Sequence, residues 1–152
     1  MARPRLRVVV GQTRHVKDPT PTLVLRRSFG WGIVMVEDEQ QRGAPAPEDT
    51  VVTSSKTGLT VTVHHAQDVA FDGLAPDDPI PGFIVAVDCW RTAAPAGTTV
   101  IWEGDLDIPL GRLLIGDAER EDVLELTPGR WHVEVAADPA DYPGEVAIWF
   151  SK

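Results

Sequence analysis

Cysteine is almost absent from this chain of 152 residues, which contains only Cys89. An intramolecular disulfide needs two thiols and a cysteine-based metal cage needs several, so both are excluded. Cys89 alternates in register with Phe83, Val85 and Val87, and a thiol buried among such side chains is usually inert. We therefore expect Cys89 in the core, and the surrounding sequence contains no nucleophile motif such as G-x-S-x-G.

Long apolar runs are also missing. The N-terminus reads M-A-R-P-R-L-R-V-V-V-G, with an apolar run of only three residues. A signal peptide needs an apolar core of about 7–15 residues, and a membrane-spanning helix needs about 20. We predict a cytoplasmic protein that has no membrane partner, and the composition leaves its oligomeric state open.

Helical periodicity and cofactor-binding motifs are absent as well. No stretch of ten or more residues repeats its apolar positions every 3.6 residues. The glycine-rich phosphate loop, the dinucleotide-binding fingerprint and the metalloprotease helix all need a helix, and none of them is found. This argues against the common enzyme classes, so we expect a non-enzymatic protein without a cofactor.

Positive charge is scarce after the first quarter of the chain. Residues 1–42 hold eight Arg and Lys against four Asp and Glu, whereas residues 43–152 hold six against nineteen. Nucleic-acid binding needs a basic stripe, so we expect no nucleic-acid partner. An acidic surface attracts a basic protein, although acidity that only maintains solubility is the simpler alternative.

What the sequence does contain is a series of short β-strands between Gly- and Pro-rich turns. Leu59, Val61 and Val63 alternate with Thr60 and Thr62, which is typical of a strand with one buried face. Other strands are predicted at 5–11, 23–27, 29–36, 69–71, 82–90, 98–116, 123–126, 130–135 and 145–150. The pattern predicts one all-β domain over residues 1–152, an antiparallel β-sandwich of jelly-roll or immunoglobulin-like topology. The polar, Pro-rich segment 37–49 is predicted to be a flexible loop.

Three tryptophans form one candidate ligand site. Trp90 and Trp149 lie opposite the more apolar register of their strands, and Trp102 could do the same. On one outer sheet face they would form a patch suited to a sugar ring or another small ligand. The alternative is that a loop or another strand covers them. Trp31 lies between two glycines, and we expect it to be a packed structural side chain rather than a binding platform.

Acidic side chains form the candidate partner-binding surface. Glu103, Asp105 and Asp107 alternate along one predicted strand, so they share a face about 7 Å apart. A calcium site or acid–base catalysis is conceivable there, but a row of like charges is more typical of a solvated face. The candidate contacts with a basic partner are Glu103, Asp105, Asp107, Asp117, Glu119, Glu121 and Asp122.

The four histidines do not predict a metal site. His64 and His65 are adjacent on a strand, so they point to opposite faces. His15 and His132 have no ligand at a suitable spacing within their own segments. An enzyme that uses His64 or His65 with a carboxylate remains a third possibility.

The C-terminal end carries one resemblance to known proteins. The pattern L-x-P-G-x-W-x-V-x-V, then E-V-x-I-W-F, resembles the final strands of small bacterial β-sandwich proteins. These include nuclease inhibitors of the competence protein J type and several immunity proteins. The resemblance implies a non-catalytic protein that binds and neutralises a partner. The matching residues are Leu126, Pro128, Gly129, Trp131, Val133, Val135, Val146, Ile148 and Phe150.

The Pro128–Gly129 turn predicts a feature of the topology. Pro-Gly favours a type II turn, whose twist does not suit a two-residue hairpin. We therefore expect this turn to carry the chain from one sheet to the other, with Trp131 anchored in the core.

Overall fold

The computed structural model describes residues 20–67, 75–77 and 82–152, and these contain ten strands and no α-helix. The strands are β1 (Leu23–Arg27), β2 (Ile33–Asp38), β3 (Val52–Ser54), β4 (Gly58–Thr62), β5 (Val85–Trp90), β6 (Trp102–Ile108), β7 (Arg112–Gly116), β8 (Glu121–Glu125), β9 (Gly129–Asp138) and β10 (Glu145–Ser151). Within the described ranges, no helix is long and apolar enough to cross a membrane. The strands predicted at 5–11 and 69–71 lie outside the described residues.

The ten strands form two five-stranded sheets. Sheet A has the order β1-β5-β10-β9-β6, and sheet B has the order β3-β4-β2-β7-β8. Neighbouring strands are antiparallel except β5 and β10, which are parallel. The all-β prediction is confirmed, with one parallel pair that the alternation pattern could not reveal.

Apolar side chains from both sheets meet in one core. Val87 and Ile148 of sheet A belong to the same buried cluster as Val36 and Leu59 of sheet B. Alternate side chains of a strand point to opposite faces of its sheet, so each sheet can turn one apolar face towards the other. Cys89 lies in this cluster as predicted, and burial raises the pKa of its thiol.

The Pro128–Gly129 turn carries the chain from sheet B to sheet A, as predicted from the sequence. Gly129 has a φ of 140°, which a residue with a side chain rarely adopts. Directly after the turn, the Nε1 of Trp131 donates a hydrogen bond to the Thr127 carbonyl at 2.9 Å. The buried indole therefore anchors the crossing, since a buried N–H needs a partner.

Contacts between the sheets show which strand edges lie together. The backbone N–H of Asp107 in β6 donates to the Lys56 carbonyl, in the β3–β4 turn, at 2.8 Å. At the other side, the Arg27 guanidinium at the end of β1 donates to the Arg120 carbonyl, just before β8, at 2.7 Å. Strands β6 and β3 therefore form one edge of the sandwich, and β1 and β8 form the opposite edge.

The polar segment predicted as a loop at 37–49 starts later than expected. Glu37 and Asp38 are the last two residues of β2 and are buried. Asp38 is tolerated there because its carboxylate accepts the backbone N–H groups of Gln40 and Gln41, at 2.9 and 3.0 Å. Further along, the Pro45 carbonyl accepts the Thr60 hydroxyl from β4 at 2.6 Å. The segment therefore lies across the outer face of sheet B.

Trp31 corrects one expectation. It was predicted to pack within a strand, but it lies in the turn before β2 and its side chain is 66% exposed. The reason is Gly32, whose φ of 68° and hydrogen bond to the Phe29 carbonyl form a turn instead.

Candidate functional site

The outer face of sheet A carries four carboxylates on two neighbouring strands. Leu106 and Ile108 of β6 point into the core, so the alternate residues of this strand point outward. The register between β6 and β9 places residues opposite one another as Glu103 and Glu134, Asp105 and His132, and Asp107 and Arg130. We call Glu103, Asp105, Asp107 and Glu134 the acidic patch. Three of them were predicted from the sequence.

His132 lies in the middle of the acidic patch. Its Nδ1 is 3.0 Å from the Asp105 carboxylate, and its Nε2 is 3.1 Å from the Glu103 carboxylate. The hydrogen bond to Asp105, with a second one to Glu103, raises the pKa of His132. The hydrogen bond between His132 and Asp105 also lowers the pKa of the Asp105 carboxyl. Sequence spacing missed this group because its members lie on different strands.

Glu134 was also missed, because the sequence does not show which strands are neighbours. One of its carboxylate oxygens accepts the backbone N–H of Ala94 at 3.0 Å. Ala94 belongs to the segment after β5, which therefore reaches the outer face of sheet A beside the patch.

Two permanent cations contact the patch in the described part of the chain. Arg130 lies 3.2 Å from the Asp105 carboxylate, and Lys56 lies 3.6 Å from that of Asp107. Both pairs are exposed and are therefore weak. Four carboxylates against two such cations leave the patch negative.

Asp117 does not belong to any exposed acidic surface, which corrects its assignment as a partner contact. Its carboxylate is fully buried and accepts the backbone N–H groups of Glu119 and Arg120, each at 3.1 Å. It also lies 3.4 Å from the guanidinium of Arg27. Its role is to stabilise the β7–β8 turn and to join it to β1.

The remaining predicted contacts lie at the edge of the sandwich opposite the patch. Glu121 pairs with Arg42 at 2.9 Å, and Asp122 pairs with Arg120 at 3.8 Å. Glu119 is exposed in the turn before β8. The seven predicted carboxylates therefore do not form one continuous surface.

The structure does not bring the three candidate tryptophans together on an exposed surface. Trp90 and Trp149 stack on the outer face of sheet A with ring centroids 5.1 Å apart. They are only 4% and 2% exposed, because Ala94 and its segment pack against them. Trp102 is half-buried and packs against the main core on the other face of the sheet. The alternative function, binding of a sugar or another small ligand, therefore lacks the exposed tryptophan patch that it requires.

The adjacent histidines of the third possibility lie just after β4, which ends at Thr62, and not on the strand as predicted. The His64 ring lies between Phe83 and Tyr142, with both centroid distances 4.1 Å. The His65 Nδ1 accepts the backbone N–H of Gln67 at 3.2 Å. These contacts suit structural side chains at one end of the sandwich.

The strand orders and the crossing at β8–β9 allow a comparison with solved structures. The fold is similar to that of ComJ. ComJ is the inhibitor of the DNA-degrading activity of NucA from Bacillus subtilis, and its crystal structure superposes with a TM-score of 0.54. The match covers 90% of this chain and 99% of ComJ at 5% sequence identity. The predicted resemblance to proteins of the competence protein J type is confirmed at the level of the fold.

A second structure, that of crocagin biosynthetic gene J, is similar at 16% identity and a TM-score of 0.46, over 90% of this chain and 98% of its own. No protein-family model matches the chain. No curated protein matches its sequence significantly.

Proposed function

We propose that this protein is a non-enzymatic binding protein whose acidic patch contacts a basic protein, in the manner of an immunity protein or nuclease inhibitor. The observation that carries the proposal is the row of outward carboxylates on β6, continued by Glu134 on β9. The likeness to ComJ supports it, because ComJ is a protein of this fold that inhibits a nuclease.

The balance of charge favours the acidic patch over the opposite edge. Along β8, Glu121 and Asp122 are each paired with an arginine. In the patch, Asp105 and Asp107 are likewise paired with Arg130 and Lys56, but Glu103 pairs with a histidine and Glu134 accepts a backbone N–H. The patch therefore has more charge left with which to attract a basic partner.

A negative patch on an open sheet face acts mainly on the rate of encounter. Electrostatic steering raises association rates about 10–1,000-fold, and the effect decreases as salt screens the charges. The same field repels phosphate, so the proposal includes the absence of a nucleic-acid partner. It also includes the cytoplasmic location predicted from the sequence.

The proposal can be tested by affinity capture from a lysate of the source organism. Three immobilised proteins are compared: the wild type, a triple variant with Lys at Glu103, Asp105 and Asp107, and a control triple variant with Lys at Glu119, Glu121 and Asp122. We expect the wild type and the control to retain the same basic protein, and the patch variant to lose it. Equal retention by all three proteins, or loss by the control alone, would contradict the proposal.

A further inference from the structure

Within the acidic patch, three side chains converge in a way that suits a metal ion. Among the described residues, Glu103, His132 and Glu134 each offer one donor atom, and these atoms lie within 4.8 Å of one another. One imidazole nitrogen and two carboxylate oxygens form a donor set that zinc accepts in a tetrahedral site. Calcium requires six to eight oxygen ligands, which this group cannot supply. We propose that Glu103, His132 and Glu134 bind a zinc-type divalent cation, with water as the fourth ligand.

The imidazole is already oriented as a ligand. The Asp105 carboxylate lies 3.0 Å from Nδ1, so it holds the proton on that nitrogen and directs Nε2 towards Glu103. A carboxylate behind a histidine in this way is the usual outer shell of a zinc site, where it fixes the tautomer and the ring orientation. Asp105 is therefore a positioning residue rather than a ligand.

The spacing of the first two donors already matches a coordinated pair. Two ligand atoms at about 2.0 Å from a tetrahedral ion are separated by about 3.3 Å. The His132 Nε2 and the Glu103 carboxylate oxygen are 3.1 Å apart. The cation would replace the proton shared between these atoms, which leaves as a hydrogen ion, and the carboxylate of Glu134, whose donor atom lies within 4.8 Å of the other two, would rotate towards it.

Glu134 is held in place from outside the cluster. The backbone N–H of Ala94 donates to one of its carboxylate oxygens at 3.0 Å, which leaves the other oxygen for the ion. This contact comes from the segment after β5, whereas the ligands lie on β6 and β9. The third ligand is thus ordered by a separate part of the chain, which lowers the entropy lost on binding.

The test is a calorimetric titration of the tag-free full chain with Zn²⁺, together with the visible absorption of the Co²⁺ form. We expect one equivalent of Zn²⁺ to bind, and Co²⁺ to show the intense absorption of a tetrahedral site. Binding should be lost in His132→Ala and strongly weakened in Glu134→Gln. Asp105→Asn should weaken it about 10–100-fold through the lost orientation.

Asp107→Asn is the matched control, because it removes the same charge from the same face of β6 but lies outside the cluster. The Zn²⁺ affinity of Asp107→Asn should stay within about two-fold of the wild type, because Asp107 is an exposed charge that pairs with Lys56 rather than with His132. The proposal is overturned if Asp107→Asn weakens binding as much as Asp105→Asn, since only general attraction would then be at work. Unchanged Zn²⁺ binding in folded His132→Ala, displacement of Zn²⁺ by equimolar Ca²⁺, or no Zn²⁺ binding at all would also overturn it. Circular dichroism establishes that each variant is folded.

Discussion

Replacement of Asp117 by alanine tests whether this carboxylate is a structural element rather than a partner contact. The side chain is fully buried and lies 3.4 Å from the guanidinium of Arg27. The Arg27 side chain is itself only 16% exposed. Removal of the carboxylate leaves the guanidinium without its charge partner and leaves the Glu119 and Arg120 N–H groups without an acceptor.

The expected loss follows from these contacts. Breaking a buried ion pair costs about 3–5 kcal/mol, largely because one charge remains unpaired. Two features of Arg27 place the loss at the lower end: its 2.7 Å hydrogen bond to the Arg120 carbonyl and its position 4.0 Å above the Phe29 ring. We expect Asp117→Ala to lower the free energy of unfolding by about 3 kcal/mol. The corresponding decrease in Tm is about 6–12 °C for a chain of this length.

The assay is urea unfolding followed by circular dichroism, with Glu119→Ala as the control in the same turn. Glu119 is exposed, so its loss should change the free energy of unfolding by no more than about 0.5 kcal/mol. Arg27→Met combined with Asp117→Ala should cost at least about 1 kcal/mol less than the two single changes together, because the pair is coupled. A loss below about 1 kcal/mol in Asp117→Ala, or additive single effects, would refute the buried-pair account.

Three further predictions each compare a buried site with an internal control, which is either an exposed or loosely packed residue or the unfolded protein. Trp131→Ala should lower the free energy of unfolding by about 3–5 kcal/mol because it empties a core site, whereas Trp31→Ala removes an exposed side chain and should change it by no more than about 0.5 kcal/mol. Similar losses in the same urea assay would contradict the buried position of Trp131 and the exposed position of Trp31. Gly58→Ala should lower the free energy of unfolding by about 2 kcal/mol or more, because the new Cβ would lie 2.6 Å from the Ala44 backbone nitrogen. In Gly30→Ala the new Cβ meets only the flexible Glu119 side chain, so the change should be nearly neutral, and the reverse order in urea unfolding would contradict the packing described around β4. Cys89 should react with a disulfide-forming thiol reagent only as the protein unfolds, since the thiol is buried and burial raises its pKa. Rapid labelling of the folded protein would contradict the position of Cys89 in the core.

Local patterns were sufficient for much of the fold. The alternation of Leu59 and Val61 with threonine predicted β4, and both side chains face the core, although Thr60 on the other face is buried as well. The Pro128–Gly129 turn predicted a change of sheet, because its φ and ψ preferences are a local property of the chain. Trp131 was assigned to the core from its register with Val133 and Val135, and it lies there.

Features that depend on distant pairing could not be predicted. His132 meets Asp105 because β9 pairs with β6, and nothing within either segment indicates that register. From the sequence alone, Asp117 is expected to be an exposed turn residue, because its partner Arg27 is 90 positions away in the chain. The parallel pairing of β5 and β10 is likewise invisible to alternation, which has the same period in both kinds of sheet. The candidate site lies in this class, which explains why only part of it was found.

The measurement that tests the central claim most directly is the association rate of the captured basic protein as a function of salt concentration. The wild type is compared with the patch variant, in which Glu103, Asp105 and Asp107 are all replaced by lysine. If the acidic patch steers the encounter, this reversal should lower the association rate constant about tenfold or more at low salt and flatten its salt dependence. The control variant at Glu119, Glu121 and Asp122 should retain the wild-type slope. An unchanged rate constant and slope in the patch variant would show that the partner binds elsewhere.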